Sequence, residues 1–338
     1  MRRALVTVVC YTTWICGVGA GRRSVPDATS DARPTHMPLS FTPSAPEERE
    51  EWQQLLEQPS PSAIKARKEL LARADQLVHD LPDGEKVAEK LSLDVVVVGC
   101  GFKVLHFIGV FSILSRLEAR GCLTMHRILG ASSGAKAPVH LLLAGEALTL
   151  DHHLSYGEMS VRRGLSSLRA ALRNDRCACV TTDFLLERFE RRLPQLDDKA
   201  HILIAQHTLF GPRSVCVNTF TDDSIQVVRQ RLRELLYATG TLLTRVEGYG
   251  LCSDGCLAGS SHRFDDDVRD QLVCDPRKSG LPSSMVFAYS PEEAIHAIEC
   301  GQDDAIALFR GVGTHSPAGA LELIRRVDRG VCVGHGRV

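Results

Sequence analysis

The segment Gly130-Ala131-Ser132-Ser133-Gly134 centres a serine in a G-x-S-x-G pattern, the spacing of a nucleophile elbow. In such an elbow the serine sits on a tight strand-to-helix turn, and the flanking glycines let the backbone pack closely. The turn exposes the hydroxyl near a helix N-terminus, whose dipole favours developing negative charge. The chemistry this serves is acyl transfer through a serine nucleophile. A bare G-x-S-x-G is also a plain structural turn, so its setting decides. A short strand-like run, Arg127 to Leu129, precedes it and an apolar helical stretch through Leu143 follows.

Two further segments fit the same chemistry. Gly99-Cys100-Gly101-Phe102-Lys103 follows a β-branched run. Backbone N–H groups in such a glycine turn can form an oxyanion hole, and Lys103 adds positive charge beside it. A dinucleotide loop would need G-x-G-x-x-G after the strand, but Val104 occupies the third glycine position and Glu118 does not end a second strand. A structural turn that needs only small residues is the remaining reading. Asp254-Gly255 comes later in the chain. An acid followed by glycine at a strand end is a turn in most settings and a candidate general base in this one. A Ser-acid-His triad is the rival arrangement, because His262, His296, His315 and His335 all follow Asp254. His106, close to the glycine loop, reads as a helix-surface or packing residue.

These residues need elements to hold them. Leu93 to Val98 reads as a buried parallel strand, followed by a helix from Val104 to Arg120. The order strand, glycine turn, helix, strand, glycine turn, helix predicts an α/β fold with a mainly parallel central sheet. Later strands are expected at His201–Ala205, Val215–Thr219, Gly248–Leu251 and Met285–Ala288. Helices are expected over Thr182–Arg192, Asp223–Tyr237, Pro291–Glu299 and much of the chain after Gln302. Glu47 to Leu91 reads as a charged helical lead-in, with Pro61 in the first turn of a helix carrying Ile64, Leu70, Leu71, Leu77 and Val78.

The N-terminus reads as a targeting signal: Arg2 and Arg3, an apolar stretch from Ala4 to Ile15, and a small-residue cleavage site at Val18-Gly19-Ala20. The expected division is a signal over 1–20, a disordered Ser-, Thr- and Pro-rich linker over 21–46, the helical lead-in over 47–91 and a catalytic domain over 92–330. A cleaved signal implies the secretory pathway or secretion. A bipartite signal into a plastid, or an uncleaved N-terminal anchor, would read similarly.

The chain has 338 residues, a formal net charge of -1 and 44% hydrophobic residues. That balance gives no basic excess for nucleic acid and no polybasic attraction to an anionic membrane. Twelve cysteines are scattered without zinc-site spacing, and Cys177-x-Cys179 and Cys252-x3-Cys256 are the close pairs. The acidic clusters Asp265 to Asp267 and Asp303-Asp304 read as surface turns and helix N-termini. No metal and no cofactor are implied. Arg162, Arg163, Arg169 and Arg173 read as a solvated helix face or as head-group contacts.

Taken in order, the glycine loop, G-x-S-x-G and Asp-Gly resemble the patatin-like phospholipases. Their pattern is G-G-G-x-[R/K]-G, then G-x-S-x-G, then D-G-[G/A]. The matches are Gly99, Gly101 and Lys103; Gly130, Ser132 and Gly134; and Asp254 with Gly255. Phe107-Ile108-Gly109-Val110 looks like the family's helix after the loop, and Ile298 to Ala305 is similar to its late G-Y-x-D-A segment. The resemblance implies a three-layer α/β/α fold and a Ser132–Asp254 dyad. It also implies an oxyanion hole over Gly99, Cys100, Gly101 and Lys103, and a lipid ester met at a membrane or lipid-droplet surface. Cys100 and Val104 depart from the glycine pattern and Cys256 follows Asp254-Gly255. A Cβ at position 100 is strained wherever φ is positive. A catalytically inactive lipid-binding module is therefore the alternative from another class. Ser133, the nearest rival to the nucleophile, is expected to matter far less than Ser132.

Overall fold

The computed structural model describes residues 46–81, 91–162, 180–221, 224–240, 243–258, 263–264, 269–286, 288–310 and 319–324. The expected targeting signal, almost all of the linker, Arg163, Arg169, Arg173, Cys177, Cys179, Asp265 to Asp267, His262, His315 and His335 lie outside them. In chain order the elements are α1 (Pro46–Glu57), α2 (Pro61–His79), β1 (Leu91–Val97), α3 (Leu105–Ala119), β2 (Leu123–Ala131), α4 (Ser133–Arg162) and α5 (180–188). Then come β3 (Ala200–Thr208), β4 (Gly211–Val217), α6 (Ile225–Ala238), β5 (Thr244–Val246), β6 (Gly250–Asp254), β7 (Asp270–Cys274), α7 (Pro291–Arg310) and β8 (Leu321–Ile324).

The fold is α/β, built on one mixed sheet whose central strands are parallel. β1 is buried at every position except Ser92, which is why it reads as an apolar run. It pairs in parallel with β2 on one edge and β7 on the other, and β2 pairs in parallel with β3. The antiparallel strands are peripheral: β8 on β7, β4 on β3 and β5 on β6. β4 follows residues 202–208 of β3 along one edge. A strand has only two edges, so β2 and β6 share the other. Ala131 stands opposite Leu203, and Asp254 stands opposite the next residue, Ile204. A parallel and an antiparallel strand therefore meet end to end on β3.

Alternation along the strands sorts the core. Val95, Val97, Ile128, Ile202 and Ile204 face the helices, whereas Val96, Leu129, Ala131 and Leu203 face Phe264. The lead-in helices contribute Trp52, Leu56, Leu70, Ala74 and Val78 to that helical core. α2 begins where Pro61 fits the first turn, and Ser60 caps it by accepting from the Ala63 N–H at 3.0 Å. α3 and α7 cross at glycines. A Cβ on Gly109 would lie 1.9 Å from the Ile298 carbonyl oxygen, and one on Gly301 would lie 1.9 Å from that of His106. Among the described residues no helix is long and apolar enough to cross a membrane.

Several expectations are corrected. Met285–Ala288 is no strand: Ser283–Val286 makes a short 3-10 turn after Pro282, and the sheet position beside β1 belongs to β7. A four-residue apolar run fits either structure by pattern alone. Asp304 is no surface turn either. It lies fully buried on α7 and hydrogen-bonds His106 Nε2 at 2.8 Å. The α4 helix runs well past Leu143, interrupted by Gly145 at φ 80°.

Three histidines line α4. His140 and His152 are buried and His153 is partly buried. Loss of water around the rings holds all three below the usual histidine range, His152 at about 3 and His153 at about 4. The charge of His153 and of Arg188 lowers His152 further, while a backbone hydrogen bond to Leu56 opposes the shift. The unfolded chain binds these protons near pH 6.5 and the folded chain does not, so stability falls as pH drops below 6.5. The thermal midpoint should be highest above pH 6.5 and decline towards pH 4, and His152→Gln should flatten that decline. Thermal denaturation across this pH range checks it.

Candidate active site

β2 ends at Ala131 and α4 starts at Ser133, so Ser132 takes the whole turn between them. Its φ is 56°, a left-handed value that side chains other than glycine rarely adopt. Its carbonyl accepts the first helical bonds of α4, from Ala135 N–H at 3.0 Å and Lys136 N–H at 3.3 Å. The flanking glycines are there for space. A Cβ on Gly130 would lie 2.0 Å from the Gly134 carbonyl oxygen, and one on Gly134 would lie 2.3 Å from that of Val97. Thr239, at the end of α6, holds the turn from below. Its hydroxyl accepts from the Ser132 N–H at 2.7 Å and donates to the Leu203 carbonyl at 2.8 Å, fully buried.

The end-to-end meeting of β2 and β6 brings Asp254 to Ser132, whose side chain favours the ionised carboxylate. Asp254 is buried and also accepts from the Cys256 N–H at 2.9 Å and from the Cys256 thiol. Burial raises its pKa above the usual carboxylate range, partly opposed by these bonds and by the charge of Lys136. Ser132 is only partly buried and can be reached. Gly255 lets the chain turn under β3, since a Cβ there would lie 2.4 Å from the Leu203 carbonyl oxygen.

The glycine loop lies against this turn. A Cβ on Gly99 would sit 2.3 Å from the Ala131 carbonyl oxygen and 2.5 Å from Ser132 Cβ. Gly101 has φ +54°, and a Cβ on it would lie 2.1 Å from the Val286 carbonyl oxygen. Cys100 is not among the positive-φ residues, and Val104 is right-handed at φ -58°. The strain expected of a side chain at position 100 is therefore absent. The Cys100 N–H donates to Ser133 Oγ at 3.1 Å, so Ser133 fastens the loop to the elbow. The Lys103 and Val104 amides are used within the loop's own turn. Among the described residues no loop or turn hydrogen bond uses the amides of Gly101, or of Ser133 and Gly134 at the start of α4, whereas Phe102 forms an isolated bridge with Cys100. Phe102 is wedged between Tyr156 and Tyr289, with ring centroids 4.8 Å away in each case, which fixes the loop.

Lys103 is buried rather than presented to solvent. Burial pushes the Cys100 thiol up, against the charges of Lys103 and Arg277. Burial, the Asp254 carboxylate and a hydrogen bond to it push the Cys256 thiol up as well. Neither thiol is set up to be a thiolate nucleophile. Arg277 is held by both oxygens of Asp275, at 2.7 and 2.8 Å, with its guanidinium about half exposed. Among the described residues no group of His, Cys, Asp or Glu could hold a metal ion. Of the late histidines, His296 lies on α7 near Cys300 and not at Asp254. His106 is buried against Asp304.

Thr239, Lys136 and Ser133 are the site residues that spacing alone does not mark. Thr239 has no motif around it, and the packing of the α6 C-terminus against β2 and β3 brings it to Ser132. No family model, curated protein or solved structure matches the chain.

Thr239→Val keeps the shape but strips the acceptor from a buried N–H and the donor from a buried carbonyl. An unmet buried group costs about 1–3 kcal/mol. Chemical denaturation should show a loss of that size for Thr239→Val, and a much smaller one for Thr239→Ser.

Proposed function

We propose that the protein is a serine hydrolase of lipid carboxylic esters, of the patatin-like kind, working through Ser132 and Asp254. The observation that carries this is a reachable serine in a strained turn set beside a buried aspartate, where β2 and β6 meet on β3. Strain of this kind persists only where the surroundings enforce it, and it clusters at functional sites. The glycine loop adds support. The two positions that forbid a side chain, Gly99 and Gly101, are the two that the sequence keeps as glycine. Cys100 and Val104 stand where the backbone accepts a side chain. With this reading goes a patatin-like three-layer α/β/α architecture for the sheet.

In the reaction Asp254 takes the Ser132 hydroxyl proton as Ser132 Oγ bonds to the ester carbonyl carbon. Negative charge develops on the carbonyl oxygen and is met by the Gly101 amide, with the positive end of α4 nearby. Collapse of this intermediate breaks the bond to the alcohol oxygen, which leaves with the proton from Asp254. Water then attacks the acyl-serine and gives its proton to Asp254, which passes it to Ser132 Oγ as the acyl–oxygen bond breaks and the fatty acid leaves. Ser133 holds the loop in place and has no part in the bond changes.

A fluorophosphonate probe tests the reading. Labelling of the wild type that is lost in Ser132→Ala supports it, with ester turnover reduced roughly a thousandfold or more. A folded wild type that takes no label points instead to a lipid-binding module without catalysis. Because Asp254 acts as a base with a raised pKa, the acid limb of the pH–rate profile should lie above the ordinary carboxylate range.

Asp254→Asn separates activity from stability. The folded state binds the Asp254 proton more tightly than the unfolded chain, so the ionised carboxylate costs stability as pH rises through its raised pKa. Asp254→Asn should therefore abolish labelling and raise the thermal midpoint at pH 7. That gain should vanish below about pH 3.9, the unfolded aspartate value, where both states are protonated.

A further inference from the structure

Leu209 and Phe210 form the two-residue tip of the β3–β4 hairpin, and each is 100% exposed. Such tips normally carry Asn, Asp or Gly, which the turn itself needs. Here the turn is shaped by its neighbours. Thr208 Oγ1 donates to the Gly211 carbonyl at 2.8 Å and accepts from the Phe210 N–H at 3.2 Å, and Gly211 takes φ 113°. Nothing in the hairpin's conformation requires two large apolar side chains there.

Their position relative to Ser132 gives them a use. β3 is level with the end of β2 at Leu203 and runs five residues further, to Thr208. At roughly 3.3 Å per residue, the tip stands roughly 17 Å beyond the Ser132–Asp254 level, on the edge where the parallel strands end. Leu251, exposed on β6 one residue outside the Gln206–Cys252 pair, lies on the same projection. Residues 200–217 contain no Asp or Glu. Arg213 is exposed on β4, with its Nε donating to Gln206 Oε1 at 2.7 Å, and Arg245 is exposed on β5.

We propose that this tip is a lipid-surface anchor: Leu209 and Phe210 enter the boundary between head groups and acyl chains while Arg213 meets phosphate. The purpose of the anchor, delivering ester to Ser132, rests on the hydrolase reading; the anchoring itself does not. Two side chains on a narrow projection cover far less than the roughly 1,200–2,000 Å² of a stable protein interface. Lipid insertion needs only a depth of roughly 5–10 Å. That difference favours a lipid surface over a second copy of the chain or another protein.

The test uses the full chain carrying Ser132→Ala, so no turnover alters the vesicles. Partition onto phosphatidylcholine vesicles, with and without phosphatidylglycerol, is compared between this protein and one that adds Leu209→Ser and Phe210→Ser. The added pair should weaken partition about tenfold or more, and Arg213→Gln should weaken it only where phosphatidylglycerol is present. A Phe210→Trp protein should show a blue shift of indole emission on adding vesicles. With Ser132 intact, the serine pair should leave the thermal midpoint and hydrolysis of a soluble short-chain ester unchanged. Equal partition of the serine pair, or emission from the Phe210→Trp protein that does not shift as vesicles are added, overturns the anchor. A wild type that is dimeric and becomes monomeric with the serine pair overturns it in favour of a second copy. Loss of partition without any ester hydrolysis in the Ser132 protein leaves the anchor standing and removes only the hydrolase reading.

Discussion

The left-handed backbone at Ser132 is the constraint on which the rest of the site depends. Such a conformation costs a non-glycine residue of order 1–3 kcal/mol, and it would relax if its neighbours allowed. They do not. Gly130 and Gly134 pack backbone against backbone, Thr239 holds the Ser132 N–H, and α4 takes the Ser132 carbonyl as its first acceptor. Ser133 adds a tie to the Cys100 amide, so the loop that faces the serine is fixed to the same turn. The hydroxyl is thus presented by a turn that these contacts hold in place.

The partner of that hydroxyl arrives by topology and not by proximity in sequence. β3 serves as a common rail. β2 occupies its inner half in parallel and β6 its outer half in antiparallel, so both strands end at the junction of Leu203 and Ile204. Thr239 and Gly255 each engage the Leu203 carbonyl region from their own sides. Burial at this junction makes the aspartate costly to ionise, and Lys136 together with the Cys256 donors offsets part of that cost. The same burial makes Asp254 a stronger base than a solvated carboxylate.

What can be read from the sequence follows from how local each feature is. The glycine loop and the elbow are contiguous, so their spacing announces them. β1 is a run of apolar residues because its two faces are covered. The two outlying stretches, around Gly109 and around Gly301, meet each other, with His106 and Asp304 paired at the crossing. Asp304 defeats sequence reading because a carboxylate looks like surface until its partner, far away in the chain, is known. Thr239 is invisible for the same reason: a threonine that satisfies a distant amide leaves no pattern. The departure at Cys100 looks damaging by motif, yet motif letters do not carry φ, and only positions 99 and 101 need glycine.

The near-zero net charge gains meaning from the same distinction between local pattern and placement. A chain at -1 has no long-range attraction to anionic lipid, so on the proposed reading encounter with a lipid phase rests mainly on apolar area at the right place. The helical core turns most of its large side chains inward, and Leu209 and Phe210 are exceptions at full exposure. In sequence they follow Gln206-His207-Thr208, outside the expected strand His201–Ala205, and by residue type alone they look as fit for a core as Ile202 and Ile204. The hairpin alone turns them outward, past the end of the parallel strands and on the edge where Ser132 lies. On the proposed reading, a surface that brings an insoluble substrate to a fixed serine needs little area if it projects beyond the site, as this hairpin does.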